Sequence, residues 1–61
     1  MKYTFEHCSC GLLIESDDCN EISNYLFANF ENQWLEMYDI RETSNYIIMY
    51  YIGGYTLMIK K

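Results

Sequence analysis

YIIMYYIGGYTLMI, Tyr46 to Ile59, decides how this chain must fold. Two runs of β-branched and aromatic residues flank a glycine pair. Such residues suit a pleated, half-buried strand. Glycine supplies the positive φ that a tight two-residue hairpin loop requires. The pattern predicts a hairpin closed by Gly53-Gly54. In that register Tyr46, Ile48, Tyr50, Ile52, Tyr55, Leu57 and Ile59 share one face, and Ile47, Met49, Tyr51, Thr56 and Met58 share the other. Both faces are apolar.

Outward from the hairpin, Arg41-Glu42-Thr43-Ser44-Asn45 reads as a polar turn and Trp34 to Ile40 as the strand before it. At the N-terminus Lys2 to His7 alternates polar and apolar residues, which predicts a half-buried strand with Tyr3, Phe5 and His7 inward. Cys8-Ser9-Cys10-Gly11 is a turn, and Leu12 to Glu15 the returning strand. Ser16-Asp17-Asp18 opens a helix, because Asp18 and Glu21 have the spacing of a capping box. Ile22, Tyr25, Leu26 and Phe30 give that helix one apolar stripe, and it should fade near Asn32. The resulting order is β-β-α-β-β-β, an α+β domain with one helix packed on one face of an antiparallel sheet. One helix covers one face. The second apolar face calls for another chain, a copy of itself or a target.

The 61 residues make one small domain, 51% hydrophobic and 18% aromatic. A chain this short buries only about 60% of its unfolded surface and often needs a disulfide, a metal or a partner. No apolar run is long enough for a transmembrane helix. MKYTFEHC lacks the apolar core of a signal peptide. The expected location is therefore the cytoplasm, where thiols stay reduced. The net charge is −5, and no Lys or Arg occurs between Tyr3 and Ile40. Phosphate would repel such a surface, so direct nucleic-acid binding is not expected. A protein with a basic surface would attract it. The plain alternative is that the charge serves solubility. The acids Asp17, Asp18, Glu21 and Glu31 are the candidate partner contacts, with Met49, Tyr51 and Met58 as apolar anchors. Helix capping is the competing role for Asp18 and Glu21.

His7, Cys8, Cys10 and Cys19 gather the only histidine and all three cysteines into thirteen residues. Three thiols cannot all pair, and reduced clusters commonly bind metal. Structural zinc takes four Cys or His ligands. Cys8 and Cys10 at a hairpin tip, with Cys19 in the first helical turn, would pin hairpin to helix, giving a zinc-stapled fold. His7 is the candidate fourth ligand. Asp17, Asp18, a water or a partner residue are alternatives. The competing reading is three ordinary core thiols and a satisfied histidine. No hydrolase, deaminase, metalloprotease or phosphate-loop motif occurs, so a binding protein is expected rather than an enzyme.

The short, acidic, proline-free chain, rich in Asn, Ile and Tyr, resembles the small inhibitors carried by phages and mobile elements of Gram-positive bacteria. Among these, the anti-CRISPR proteins that disable Cas9 are the nearest in character. YLFANFENQWLEMYD, Tyr25 to Asp39, is similar to an acidic, aromatic stretch of one such inhibitor. That class shares no fold and no signature motif, so it assigns no residue a role. The resemblance implies a phage-encoded protein that binds Cas9, or a similar nucleic-acid-binding defence protein of the host cell, and blocks its loading of target DNA. The alternative is a homo-oligomeric interaction module, such as an antitoxin or regulatory subunit. The expected state is monomer or homodimer.

Overall fold

A computed structural model describes residues 1–30 and 35–61. The elements follow the expected order: β1 (Lys2–His7), β2 (Gly11–Ser16), α1 (Cys19–Phe30), β3 (Met37–Glu42), β4 (Tyr46–Tyr51) and β5 (Tyr55–Lys60). The five strands form one antiparallel sheet in the order β2-β1-β5-β4-β3. The N-terminal strand thus inserts beside the C-terminal one and joins two hairpins into a continuous sheet. The expected helix end near Asn32 and strand start at Trp34 lie outside the described residues. β3 itself begins at Met37 and runs on through Arg41 and Glu42, which were expected in the turn.

The register of the Tyr46–Ile59 hairpin departs from expectation by one residue. Tyr51 pairs with Tyr55 and Met49 with Leu57. The loop is therefore three residues, Ile52-Gly53-Gly54, and both glycines take positive φ, 100° and 87°. A one-residue change of register moves every side chain of one strand to the opposite face relative to its partner. Ile47, Met49 and Tyr51 consequently share a face with Tyr55, Leu57 and Ile59, while Tyr46, Ile48 and Tyr50 stand with Thr56, Met58 and Lys60. This corrects the expected face sets.

The helix lies over β2 and β1. Phe5 is fully buried at the centre, with Ile22 from α1 and Leu57 from β5. Phe5 stacks on Tyr55 at 5.5 Å and meets the edges of Tyr25 and Phe30 at 6.4 and 6.0 Å. Burying a side chain of this kind stabilises by about 1.5–3 kcal/mol. Tyr3, Leu13, Ile14, Leu26, Leu35, Met49 and Tyr51 pack against the cluster as well. The opposite sheet face has no fully buried residue. Thr4, Glu6, Tyr46, Ile48, Tyr50, Thr56 and Met58 are all half-exposed there.

Candidate functional site

The helix start is built by three side chains acting in relay. Asp18 Oδ1 accepts the Asn20 N–H at 2.9 Å, the N-cap bond. Ser16 Oγ accepts the Asp18 N–H at 3.0 Å and donates to Glu21 Oε2 at 2.9 Å. Ser16 thus stands between the two halves of the expected capping box. Asp18 and Glu21 are committed to capping, and only Asp17 of this trio has no structural bond of this kind. Its charge acts on Lys2, whose pKa is raised chiefly by hydrogen bonding to Glu15, 3.0 Å away. Glu31 lies outside the described residues.

At the other end of the sheet the two hairpin turns are tied together. The Cys8 N–H donates to Gly54 O at 3.0 Å. His7 Nδ1 accepts the Ser9 N–H at 3.1 Å, and Nε2 lies 2.9 Å from Gly53 O. A carbonyl accepts and an amide donates, so these partners select the neutral tautomer with its proton on Nε2. The His7 ring also meets Tyr55 edge-on at 4.6 Å. A Cβ on Gly54 would fall 2.6 Å from Cys8 Sγ, so a side chain there would require the Cys8 thiol to move aside. Beside the seam lies an open cleft of about 270 Å³, bounded by His7, Cys10, Tyr25, Asn29, Phe30 and Tyr55.

This geometry separates the expected zinc ligands. Cys8 and Cys10 belong to the turn beside Tyr55, where α1 ends. Cys19 begins α1, and the rise along this helix from Cys19 to Phe30 is roughly 16 Å. All three thiols are exposed and free. Both nitrogens of His7 are occupied by backbone groups. Among the described residues no three His, Cys, Asp or Glu side chains stand together as a metal site. The cysteines share a short stretch of sequence because a strand and a turn separate them, and β2 carries Cys19 away to the far end of the sheet. The hydrogen bonds of the seam join the β1–β2 turn to the β4–β5 turn.

The expected anchors divide as well. Met49 and Tyr51 lie on the helix side against the Phe5 cluster, with the Tyr51 hydroxyl donating to Met49 Sδ at 3.6 Å. Burial pushes the Tyr51 hydroxyl pKa up. Met58 faces the other way. Its cross-strand neighbours are Thr4 and Ile48. The next row holds Glu6, Thr56 and Tyr50, and Tyr38 leans on Tyr50 at 6.3 Å. Arg41 and Asp39 end these two rows at β3. Ile48, Tyr50 and Tyr38 are therefore the surface residues that sequence reading missed. Pairing Tyr51 with Tyr55 at the loop would have placed Ile48 and Tyr50 on that face.

No protein-family model matches this chain, and no match emerged among curated proteins or solved structures. No helix among the described residues is long and apolar enough to cross a membrane.

Proposed function

We propose that this chain is a binding protein, not an enzyme, that docks on the basic, nucleic-acid-binding surface of another protein and obstructs it. The observation that supports this reading is β4. It is an interior strand of the sheet, yet all six of its residues remain half-exposed. A strand rich in Tyr, Ile and Met with water on both faces has the composition of an interface anchor. The free face offers Ile48, Tyr50 and Met58 as apolar contacts. The acids Asp17, Asp18 and Glu21 at the helix start, with the chain's net charge of −5, favour encounter with a basic partner. The sequence resemblance supplies the most specific target, Cas9 inside the host bacterial cell, with target-DNA loading as the blocked step.

Competition for DNA tests this. Increasing amounts of the chain should displace target DNA from guide-loaded Cas9, less effectively at high salt. Ile48→Lys and Asp17→Lys should each weaken the effect while leaving circular dichroism unchanged. Full DNA loading at saturating chain, with no complex on a sizing column, would overturn the Cas9 assignment. A self-associating interaction module is the second reading. The observation favouring it is the free edge of β3, where Met37, Tyr38 and Ile40 are 46%, 66% and 53% exposed.

A further inference from the structure

We propose that two copies of this chain join edge to edge through β3, in one register, with Ile40 facing Ile40 across a twofold axis. Among the described residues β3 is an outer strand of the sheet, paired with β4 alone. The Thr43 N–H donates to Tyr46 O, so Thr43 and Tyr46 form a hydrogen-bonded pair. Antiparallel ladders alternate hydrogen-bonded and open pairs. Arg41–Ile48 and Asp39–Tyr50 are then bonded pairs, and Ile40 and Glu42 turn their N–H and C=O groups outward to the open edge. An added antiparallel strand must use those outward groups.

Parity leaves three central registers for a twofold pairing. With Tyr38 opposite Ile40, Asp39 faces Asp39 of the other copy. With Ile40 opposite Glu42, Arg41 faces Arg41. With Ile40 opposite Ile40, each Asp39 faces an Arg41. Directly opposed like charges destabilise a strand pair and opposite charges stabilise it. Only the third register avoids repulsion, and it forms two complementary pairs at once. Those charges lie in an open pair, where opposed side chains are closest. On the other face the two Ile40 side chains bury each other.

The single chain holds these groups in reserve. Asp39 Oδ1 accepts the outward Ile40 N–H at 2.9 Å, and Asp39 Oδ2 sits 3.4 Å from Arg41 Nε. A free edge whose amide is capped by its own side chain resists promiscuous pairing. In the dimer the Ile40 N–H passes to the partner's carbonyl, and the carboxylate passes to the partner's Arg41. The bulge between Met37 and Asp39 ends the straight stretch, so the ladder is short. Its interface is smaller than the roughly 1,200–2,000 Å² of stable complexes, and association is concentration-dependent.

This self-association is independent of any nuclease target. It makes the second reading specific, and a dimer built through another surface would leave that reading standing while overturning this one. Sedimentation equilibrium across a wide concentration range is the test. The native chain should pass from monomer to dimer. Asp39→Arg and Arg41→Asp should each remain monomeric with unchanged circular dichroism, an equimolar mixture of the two should form a heterodimer, and the doubly exchanged D39R/R41D chain should dimerise again. A native chain that stays monomeric at millimolar concentration overturns the proposal. So does a dimer that either single variant leaves intact, or one that the double exchange fails to restore.

Discussion

The two ends of the sheet are built from similar residues and meet different fates. β1 and β2 lie under α1, and there the apolar side chains of one face are sealed around Phe5. β3 and β4 carry nine apolar residues to the five of β1 and β2, but among the described residues α1 lies over neither of them. The difference shows that burial in so small a domain is set by where its single helix lands. Hydrophobic composition selects strands. It does not decide which of them find cover.

The sharpest way to break this contrast is to truncate one residue from each end. Phe5→Ala should cost about 3–5 kcal/mol, most of the stability of a domain worth about 0.05–0.15 kcal/mol per residue. Tyr50→Ala should cost about 0.2–1 kcal/mol, the scale of a cross-strand pair. Urea unfolding followed by circular dichroism measures both. Equal losses would mean that the β4 face is as well covered as the Phe5 cluster.

The seam between the turns gives the next largest effect. Gly54→Ala drives a methyl group to 2.6 Å from Cys8 Sγ, whereas nothing lies within 4 Å of a Cβ on Gly11. Both glycines have positive φ, so each substitution carries about 1–2 kcal/mol of backbone strain. Gly54→Ala should therefore be the more costly. It alone should speed hydrogen exchange at the Cys8 amide, which donates to Gly54 O. Identical unfolding midpoints for the two variants would remove the seam from the account of stability.

At the helix start, Asp18→Ala should cost about 1 kcal/mol as a lost N-cap. Asp17→Ala should stay within about 0.5 kcal/mol, as an exposed side chain without a cap. A reversed order would mean that Asp17 carries the cap. A strong chelator should leave the far-ultraviolet spectrum and the unfolding midpoint unchanged, because the turns are tied by hydrogen bonds. One tightly bound zinc, with loss of structure on its removal, would restore the cysteine cluster as a staple.

The smallest effect is acid sensitivity at the sheet corner. Lys61 hydrogen-bonds Glu42 and holds its carboxyl pKa below the ordinary value. A carboxylate with a depressed folded pKa adds stability above its unfolded pKa and loses it as pH falls through the folded one. Glu42→Gln should therefore cost a little stability at neutral pH, where the ion pair contributes, and leave the strongly acid end of the stability curve nearly untouched. A change in strong acid as large as the change at neutral pH would assign Glu42 a role beyond this ion pair.

Local chemistry was readable wherever neighbours in sequence settle it. Alternation in Lys2–His7, the Ser16–Glu21 cap and the glycine pair each use contacts within a few residues. The β-β-α-β-β-β order follows from those signals alone. The zinc site and the anchor residues depended on longer reach. Cys8 and Cys19 are eleven positions apart, and only the path of β2 shows that this distance is spent running the length of the sheet. Met49 and Met58 were placed together because two glycines imply a two-residue loop. In the structure Ile52 belongs to that loop and its N–H donates to Glu36 O, while the glycines bond to Cys8 and His7 of the neighbouring hairpin, residues more than forty apart. Arg41 looked like the start of a turn because it is charged, and the sheet extends through it because its backbone pairs with Ile48.

The sequence by itself determined the elements, their order, the capped helix start and the chain's acidity, since these arise from local dihedral preference and summed charge. Only the tertiary structure decided that β1 lies against β5, that the two turns bond to each other, that Cys19 parts from Cys8 and Cys10, and that β3 is left with an open edge. Those outcomes rest on which backbone donors and acceptors meet across the sheet, and strand pairing joins groups that no local pattern relates.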